Sequence, residues 1–298
     1  MQFGAETGCK EALNEENSMP RINHNIPAMI TGNSLRITER QVAKSLERLS
    51  TGLRINRASD DAAGLSVSEQ LRTQVRGLNM GSRNIQDGIS LINIAEGALI
   101  EVENMLQRIR ELAIQAANDT LTSVERSYID IETSQLRTEV DRIVSGTQYN
   151  SQQLLNGTNP WGTAPGGVLH IGPNNNAIAD TIQYEISPVN ATALGIDPVT
   201  MTTQSDATAA IDTLDTALRS VNELRANLGA MVNRLEHALN NQENQEQNMQ
   251  AAESVIRDAD FASETTEFTR NQILMQSSTS MLAQANMLPQ SVLSLLGQ

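Results

Sequence analysis

The apolar positions of this chain recur every seven residues over two long stretches, and prolines mark where that pattern stops. Leu78, Ile85, Ile92, Leu99, Leu106 and Ala113 form the first series, and Gly81, Gly88, Ala95, Val102, Ile109 and Ala116 follow each of them by three. Apolar residues spaced alternately three and four apart occupy one stripe of an α-helix, so this is a heptad seam. Ser59-Asp60-Asp61 offers an N-cap with acids in the first turn and Asn118-Asp119 a stop, which predicts one helix of roughly 85 Å. A shorter helix over about residues 122–145 carries Ile129, Leu136, Val140 and Ile143. Leu35, Val42, Leu46, Leu49 and Leu53 mark a further stripe upstream.

The second half mirrors the first. Leu214, Val221, Leu228 and Leu235, interleaved with Leu218, Val232 and Leu239, give a seam that fades into the polar run NNQENQEQNMQ. A last helical segment from about Val255 to Met287 carries Ile256, Phe268, Ile273, Leu274, Met281 and Leu282. No proline lies between Pro27 and Pro160, nor between Pro198 and Pro289, so both arms are free to be helical throughout. The middle differs: Val168-Leu169-His170-Ile171 and the period-two set Ile182, Tyr184, Ile186 flank the turn-prone PNNN at 173–176, which predicts one β-hairpin. The rest of Gly157 to Ser205 reads as loop.

Four glycines, Gly77, Gly81, Gly88 and Gly97, interrupt the first arm. Each costs a helix roughly 1 kcal/mol relative to alanine. A glycine on a seam lets another backbone approach more closely than leucine would, so this helix is built to need its neighbours.

Composition narrows the class. With one Trp, three Tyr and three Phe, any core is filled by aliphatic side chains, which suits long thin helix packing. A formal charge of −14 argues against sequence-independent nucleic-acid binding, which needs clustered Lys and Arg. A single cysteine, Cys9, excludes a disulfide framework. No apolar run approaches the length of a membrane span, and no basic head precedes an apolar run as in a secretory signal, which taken alone points to the cytoplasm. The histidines His24, His170 and His237 stand on separate predicted elements without an HExxH or paired cysteines, so neither a metal site, a cofactor nor a catalytic constellation is expected. Most Asp and Glu belong to solvated helix faces, the three N-x-S/T matches to chance, and the Ser/Thr-rich stretch 200–208 to a loop.

The runs INHNIPAM (22–29), RLSTGLRINRASDDAAGLSVSEQLRTQVRGL (48–78), RNIQDGISLINIAEGAL (83–99) and LQRIRELAIQAAN (106–118) together resemble bacterial flagellin. So do TQYNSQQLLNG (147–157), IRDADFASETTEFTRNQILMQSSTSMLAQAN (256–286) and the terminal LPQSVLSLL. The resemblance is collinear over both arms. It implies a mainly α protein with long antiparallel helical arms: a coiled-coil-like inner tube, an elongated helical bundle, and a small β-hairpin region in the middle. The matching boundaries are residues 19–60 and 255–298 for the inner-tube helices, 61–160 and 205–254 for the bundle, and 161–204 for a short variable region. The family begins within a few residues of the INHN stretch, so residues 1–18 are expected to be either a mis-called start or a disordered tail.

The function implied is that of a filament subunit exported unfolded through the flagellar type III apparatus, its terminal helices folding on assembly. The location is then extracellular, or periplasmic if the source is a spirochaete, and this displaces the cytoplasmic reading. Polymerisation contacts are expected at Leu46, Leu49, Leu53, Leu282, Leu288, Val292, Leu293 and Leu296. The bundle seam is expected at Leu78, Gly81, Ile85, Gly88, Ile92, Leu99, Leu106, Leu214, Val221, Leu228 and Leu235. The implied partners are further copies of the chain, the export apparatus, a chaperone on the C-terminal helix, and junction and cap proteins, with no nucleic acid and no membrane. Positions Leu106, Gln107, Arg108, Glu111, Leu112 and Glu132 match a host-receptor surface of some members, which implies recognition by Toll-like receptor 5. Three other readings compete: a hook-filament junction protein, a flagellin carrying a protease domain, which would need an HExxH that is absent here, and a free coiled-coil adaptor, which would be fully helical alone.

Overall fold

The structure is a computed structural model describing residues 24–157 and 166–296, with side chains through residue 287. Residues 1–18 and the side chains of Leu288, Val292, Leu293 and Leu296 therefore lie outside the described residues. Among the described residues, five helices and two strand pairs follow in the order α1 (Ile26–Thr51), α2 (Ala62–Ala116), α3 (Ser123–Gly146), β1 (Gln148–Tyr149), β2 (Gln152–Gln153), β3 (Gly167–His170), β4 (Thr181–Tyr184), α4 (Gln204–Arg257) and α5 (Phe261–Leu296). The protein is mainly α with a small β region. Chain contacts divide it into two compact units, one drawn from residues up to Glu69 and from Glu253 onward, the other from Gln70 to Ala252.

In the Gln70–Ala252 unit, the heptad positions are the buried ones. Leu78, Ile85, Ile92, Leu99 and Leu106 of α2 and Leu214, Val221, Leu228 and Leu235 of α4 are all buried, and apart from Leu78 they share one hydrophobic core. Gly81 and Gly88 are buried with them. Burying a leucine or isoleucine contributes about 1.5–3 kcal/mol, so this seam supplies much of the unit's stability. Across it, Arg110 donates to Asp215 at 2.5 Å, and Arg225 pairs with Glu103 and, at 3.8 Å, with Glu96. Helix α3 starts at a capping box: Thr122 Oγ1 accepts from the Glu125 N–H, and the Glu125 carboxylate accepts from the Thr122 N–H at 2.7 Å.

The connection from β4 to α4 is loop, and it is more than a tether. Ile186, Val189, Ala191, Leu194, Ile196, Val199 and Met201 are buried in the same core as the helices. Irregular backbone that enters a core needs partners for its amides and carbonyls, and α3 provides them from one face. Asp130 accepts from the Met201 N–H and Asp141 from the Ala191 N–H, each at 2.8 Å. The Arg137 guanidinium donates to the carbonyls of Ile196, Asp197 and Val199. The short β1–β2 pair was not expected from the sequence. Its turn places Asn150 and Ser151 at positive φ, and the chain beyond it buries Leu154 and Leu155.

The predicted hairpin forms, pairing Gly167 with Tyr184 and His170 with Thr181, and its position explains three of the four glycines. The chain from Leu169 to Pro173 runs along α2. A Cβ on Gly77 would lie 2.6 Å from the Pro173 Cβ, one on Gly88 would lie 2.5 Å from the Leu169 Cδ1, and one on Gly81 would collide with the Ile171 carbonyl oxygen. Asn84 donates to the His170 carbonyl at 2.8 Å, and Gln242 of α4 donates to the Ile171 carbonyl. The glycines thus form a groove in a helix, and what fills it is the end of β3 and the chain just beyond it, with the Gln242 side chain of α4 beside Gly81. Gly97 is different: it is exposed, and a Cβ there would meet nothing within 4 Å.

The two kinds of glycine should separate under mutation. Gly81→Ala should destabilise the protein by about 1–3 kcal/mol through overpacking, whereas Gly97→Ala should stabilise it by up to about 1 kcal/mol through helix propensity. Urea unfolding midpoints of the two variants, moving in opposite directions from the parent, check this.

Candidate assembly surface

The other unit is organised around the antiparallel pair α1 and α5. Helix α1 opens at Asn25, whose side chain accepts from the Ala28 N–H at 3.1 Å and donates to the Ala285 carbonyl at 2.9 Å. It closes at Gly52, which adopts φ 72° and returns its N–H to the Arg48 carbonyl. Beyond Gly52, Leu53 forms an antiparallel bridge to Asp258, with the Arg54 N–H donating to the Arg257 carbonyl at 2.7 Å and the Ala259 N–H to the Gly52 carbonyl at 2.9 Å. Ion pairs of Lys44 with Asp60 at 2.7 Å, Arg57 with Glu47 at 3.0 Å and Arg257 with Glu69 at 2.7 Å secure the connecting segments. Gly64 makes room here for the Ile55 side chain, which is 2% exposed.

Along α1 the positions facing α5 are Leu35, Thr38, Val42, Ser45 and Leu49, and along α5 they are Glu264, Phe268, Asn271, Met275, Ser278, Leu282 and Ala285. The fully buried members are polar or small: Thr38, Ser45, Glu264, Asn271 and Ala285. Thr38 satisfies its hydroxyl by donating to the Ser34 carbonyl at 2.9 Å. Glu264 meets Arg48 at 3.4 Å, yet its Oε1 and the Arg48 Nε are buried without a partner. Such a seam gains little from the hydrophobic effect and bears an incompletely compensated ion pair.

Other large apolar side chains point away from the seam. Met29 is 68% exposed, Leu46 56% and Ile273 62%, and Ile30, Ile37, Phe261, Leu274, Met281 and Met287 are exposed with them. Isolated exposed apolar residues are ordinary; here they recur along both helices of one pair.

Of the residues expected from sequence to make polymerisation contacts, Leu46 faces outward, whereas Leu49 and Leu282 are half-buried on the α1–α5 seam and Leu53 is half-buried beside the bridge. Sequence reading passed over Met29, Ile30, Ile37, Phe261 and Met287. The signal that would have found them is a second apolar line beside the first, as in the seven-residue step from Ile30 to Ile37. The residues matched to a receptor surface divide. Gln107, Arg108, Glu111 and Glu132 are exposed, and Arg108 bridges Glu132 at 2.9 Å and Glu111 at 3.1 Å, which raises its already high pKa. Leu106 and Leu112 are buried at 0% and 2%, so they belong to the core beneath that surface rather than to the surface itself. Among the described residues, no cluster of His, Cys, Asp and Glu could hold a metal ion, and no helix is long and apolar enough to cross a membrane.

Comparison with known proteins agrees with this architecture. The model of the bacterial flagellin N-terminal helical region matches residues 22–160, and that of the C-terminal helical region matches residues 211–296. The chain is 49% identical over 277 residues to a flagellin of Halalkalibacterium halodurans, covering 92% of this chain and 99% of that one. It is 46% identical over 286 residues to the flagellar filament 33 kDa core protein of Treponema phagedenis, with the same coverage. A putative flagellar hook-associated protein from Vibrio parahaemolyticus shares the fold, with a TM-score of 0.53 at 15% identity over 66% of this chain and 99% of that one. The chain belongs to the bacterial flagellin family. It is a structural subunit of the flagellar filament, and the junction-protein alternative is not favoured.

Acid should loosen both units at identifiable places. The hydrogen bond from Lys44, helped by the Arg57 and Asn56 amides, holds the Asp60 carboxyl below its ordinary value, and the hydrogen bond from Arg110 does the same for Asp215. A depressed folded-state pKa contributes stability that is fully present above the unfolded value, about 4 for aspartate, and is lost as the pH falls through the folded value. Asp60→Asn should therefore be less stable at neutral pH and lose less on acidification below about pH 4. Urea midpoints of parent and variant at a series of pH values give the comparison.

Proposed function

We propose that the outward apolar faces of α1 and α5 are the surfaces through which copies of this chain meet in the filament, and that this helix pair completes its folding on joining it. The observation that carries the reading is the inversion of the pair, with Thr38, Ser45, Glu264 and Asn271 inside and Met29, Ile30, Leu46, Ile273 and Leu274 outside. Identical subunits joined through two different patches, by contacts that do not close, propagate as a helix. Ordering the pair is then part of the binding cost, so the free chain has less helix than the assembled one. Leu46 contributes to this contact from the margin of the α1–α5 seam. Leu49, Leu53 and Leu282 act at its edge, and Leu288, Val292, Leu293 and Leu296 extend it along the last turns of α5.

The same logic supports the route by which the chain reaches its place. A chain with one cysteine and a terminal pair this weakly held is suited to leaving unfolded through the type III apparatus, with a chaperone covering the C-terminal helix beforehand. Junction and cap proteins bound the polymer, which is extracellular, or periplasmic in a spirochaete. Gln107, Arg108, Glu111 and Glu132 offer a charged exposed patch that a receptor of the Toll-like receptor 5 type would read, supported from below by Leu106 and Leu112.

Circular dichroism and sedimentation of the purified chain, before and after addition of short filament seeds, test the proposal. The expected result is a partly helical monomer that gains helix as it pellets, with Leu46→Glu pelleting much less while unfolding at the parent's urea midpoint. A monomer already fully helical that never enters the pellet would overturn it.

A further inference from the structure

The outward apolar surface of the α1–α5 pair is unusually rich in sulfur at one end. The antiparallel register is fixed by Asn25 on Ala285 and by Arg48 with Glu264. Met29 lies one turn after Asn25 and Met281 one turn before Ala285, so these two share a level of the pair, and Met287 lies two residues beyond Ala285. Their side chains are 68%, 56% and 66% exposed. Ile26 and Ile30 are the neighbouring exposed apolar residues on α1. Elsewhere, Met80 is 55% exposed on α2, Met201 is fully buried and accepts a hydrogen bond from the Thr133 hydroxyl through its sulfur, and Met105, Met231, Met249 and Met275 are partly buried.

We infer that Met29, Met281 and Met287 form an oxidation site that decides whether a free subunit can assemble. A thioether is apolar and fills irregular contacts well, whereas its sulfoxide is polar and cannot enter a dry contact without losing its hydration. In the reaction a lone pair of the methionine Sδ attacks one oxygen of a peroxide. The O–O bond breaks, the S–O bond forms, and hydrogen peroxide leaves as water, the sulfur oxidised and the peroxide reduced. The three sulfurs are open to a small oxidant in the free chain, and contact between copies closes them. Peroxide therefore acts on the subunit in transit rather than on the finished polymer, and sulfoxide reduction restores the subunit. The inference rests on the reading that these faces are the contact between copies.

The test uses the full-length chain and hydrogen peroxide, with sulfoxide at each methionine measured by peptide mass spectrometry and growth measured as seeded elongation. Met29, Met281 and Met287 should oxidise in the free chain while Met201 stays reduced, and the same residues should be protected in preformed filaments. Elongation should fall by about tenfold, equivalent to about 1.4 kcal/mol of contact, and return after treatment with methionine sulfoxide reductases. A variant carrying Met29→Leu, Met281→Leu and Met287→Leu, with side-chain volume nearly conserved, should elongate after peroxide as it does before. Unchanged elongation of the oxidised parent would overturn the inference, as would a triple variant that peroxide inhibits as strongly as the parent. Should the triple variant not assemble at all, recovery of the oxidised parent on reduction decides, and failure to recover overturns the inference. Failure of the untreated parent to elongate would count instead against the contact surface itself.

Discussion

The rest of the structure depends on one shortfall: the terminal helices bury only part of their apolar side chains against each other. Most helix pairs hide Leu and Ile between them and show polar groups to water. Here the fully buried positions include Thr38, Ser45, Glu264 and Asn271, with Leu35, Val42, Leu49, Phe268, Met275 and Leu282 only half-buried beside them, while Met29, Ile30, Leu46, Ile273 and Leu274 are turned outward. Alone, such a pair recovers little of the roughly 1–2 kcal/mol per residue needed to order its backbone. Its exposed apolar groups stay open to water within the single chain.

The Gln70–Ala252 unit answers the opposite demand. It closes its own core, with α2, α3, α4, the hairpin and the loop from Ile186 to Met201 all contributing buried apolar groups. One chain thus carries a self-sufficient unit and a dependent one. A subunit that must stay soluble before it polymerises needs the first, and one that must polymerise tightly needs the second. The acidic surplus of the sequence favours solubility of the free state.

Much of this was legible in the sequence because helix seams write themselves as a period. Leu78 to Leu106 and Leu214 to Leu235 announced both long helices, and the proline-free arms and the PNNN turn located the hairpin. What escaped had no period. The loop residues Ala191, Ile196, Val199 and Met201 enter the core with their backbones bonded to Asp141, Arg137 and Asp130, and nothing in their spacing marks them as buried. Leu35, Val42 and Leu49 were read as one face of α1, but the burial of Thr38 and Ser45 between them appears only once α5 is seen opposite. The glycines announced a close approach without naming the partner, because an extended strand and a second helix make the same demand for space.

The order of the cross-chain contacts has a kinetic consequence. From the hairpin outward, the pairings Arg110–Asp215, Glu103–Arg225, Glu69–Arg257, Arg48–Glu264 and Asn25–Ala285 are nested, each enclosing the one before, with sequence separations rising from 105 to 260 residues. Closing a loop of 260 residues directly is slow, but closing it after the inner pairs are made adds only a short increment of chain entropy. The molecule is therefore organised to zip from its middle to its ends, and to fray in reverse. The last contacts to close are those at the ends of α1 and α5, which are also the first to open.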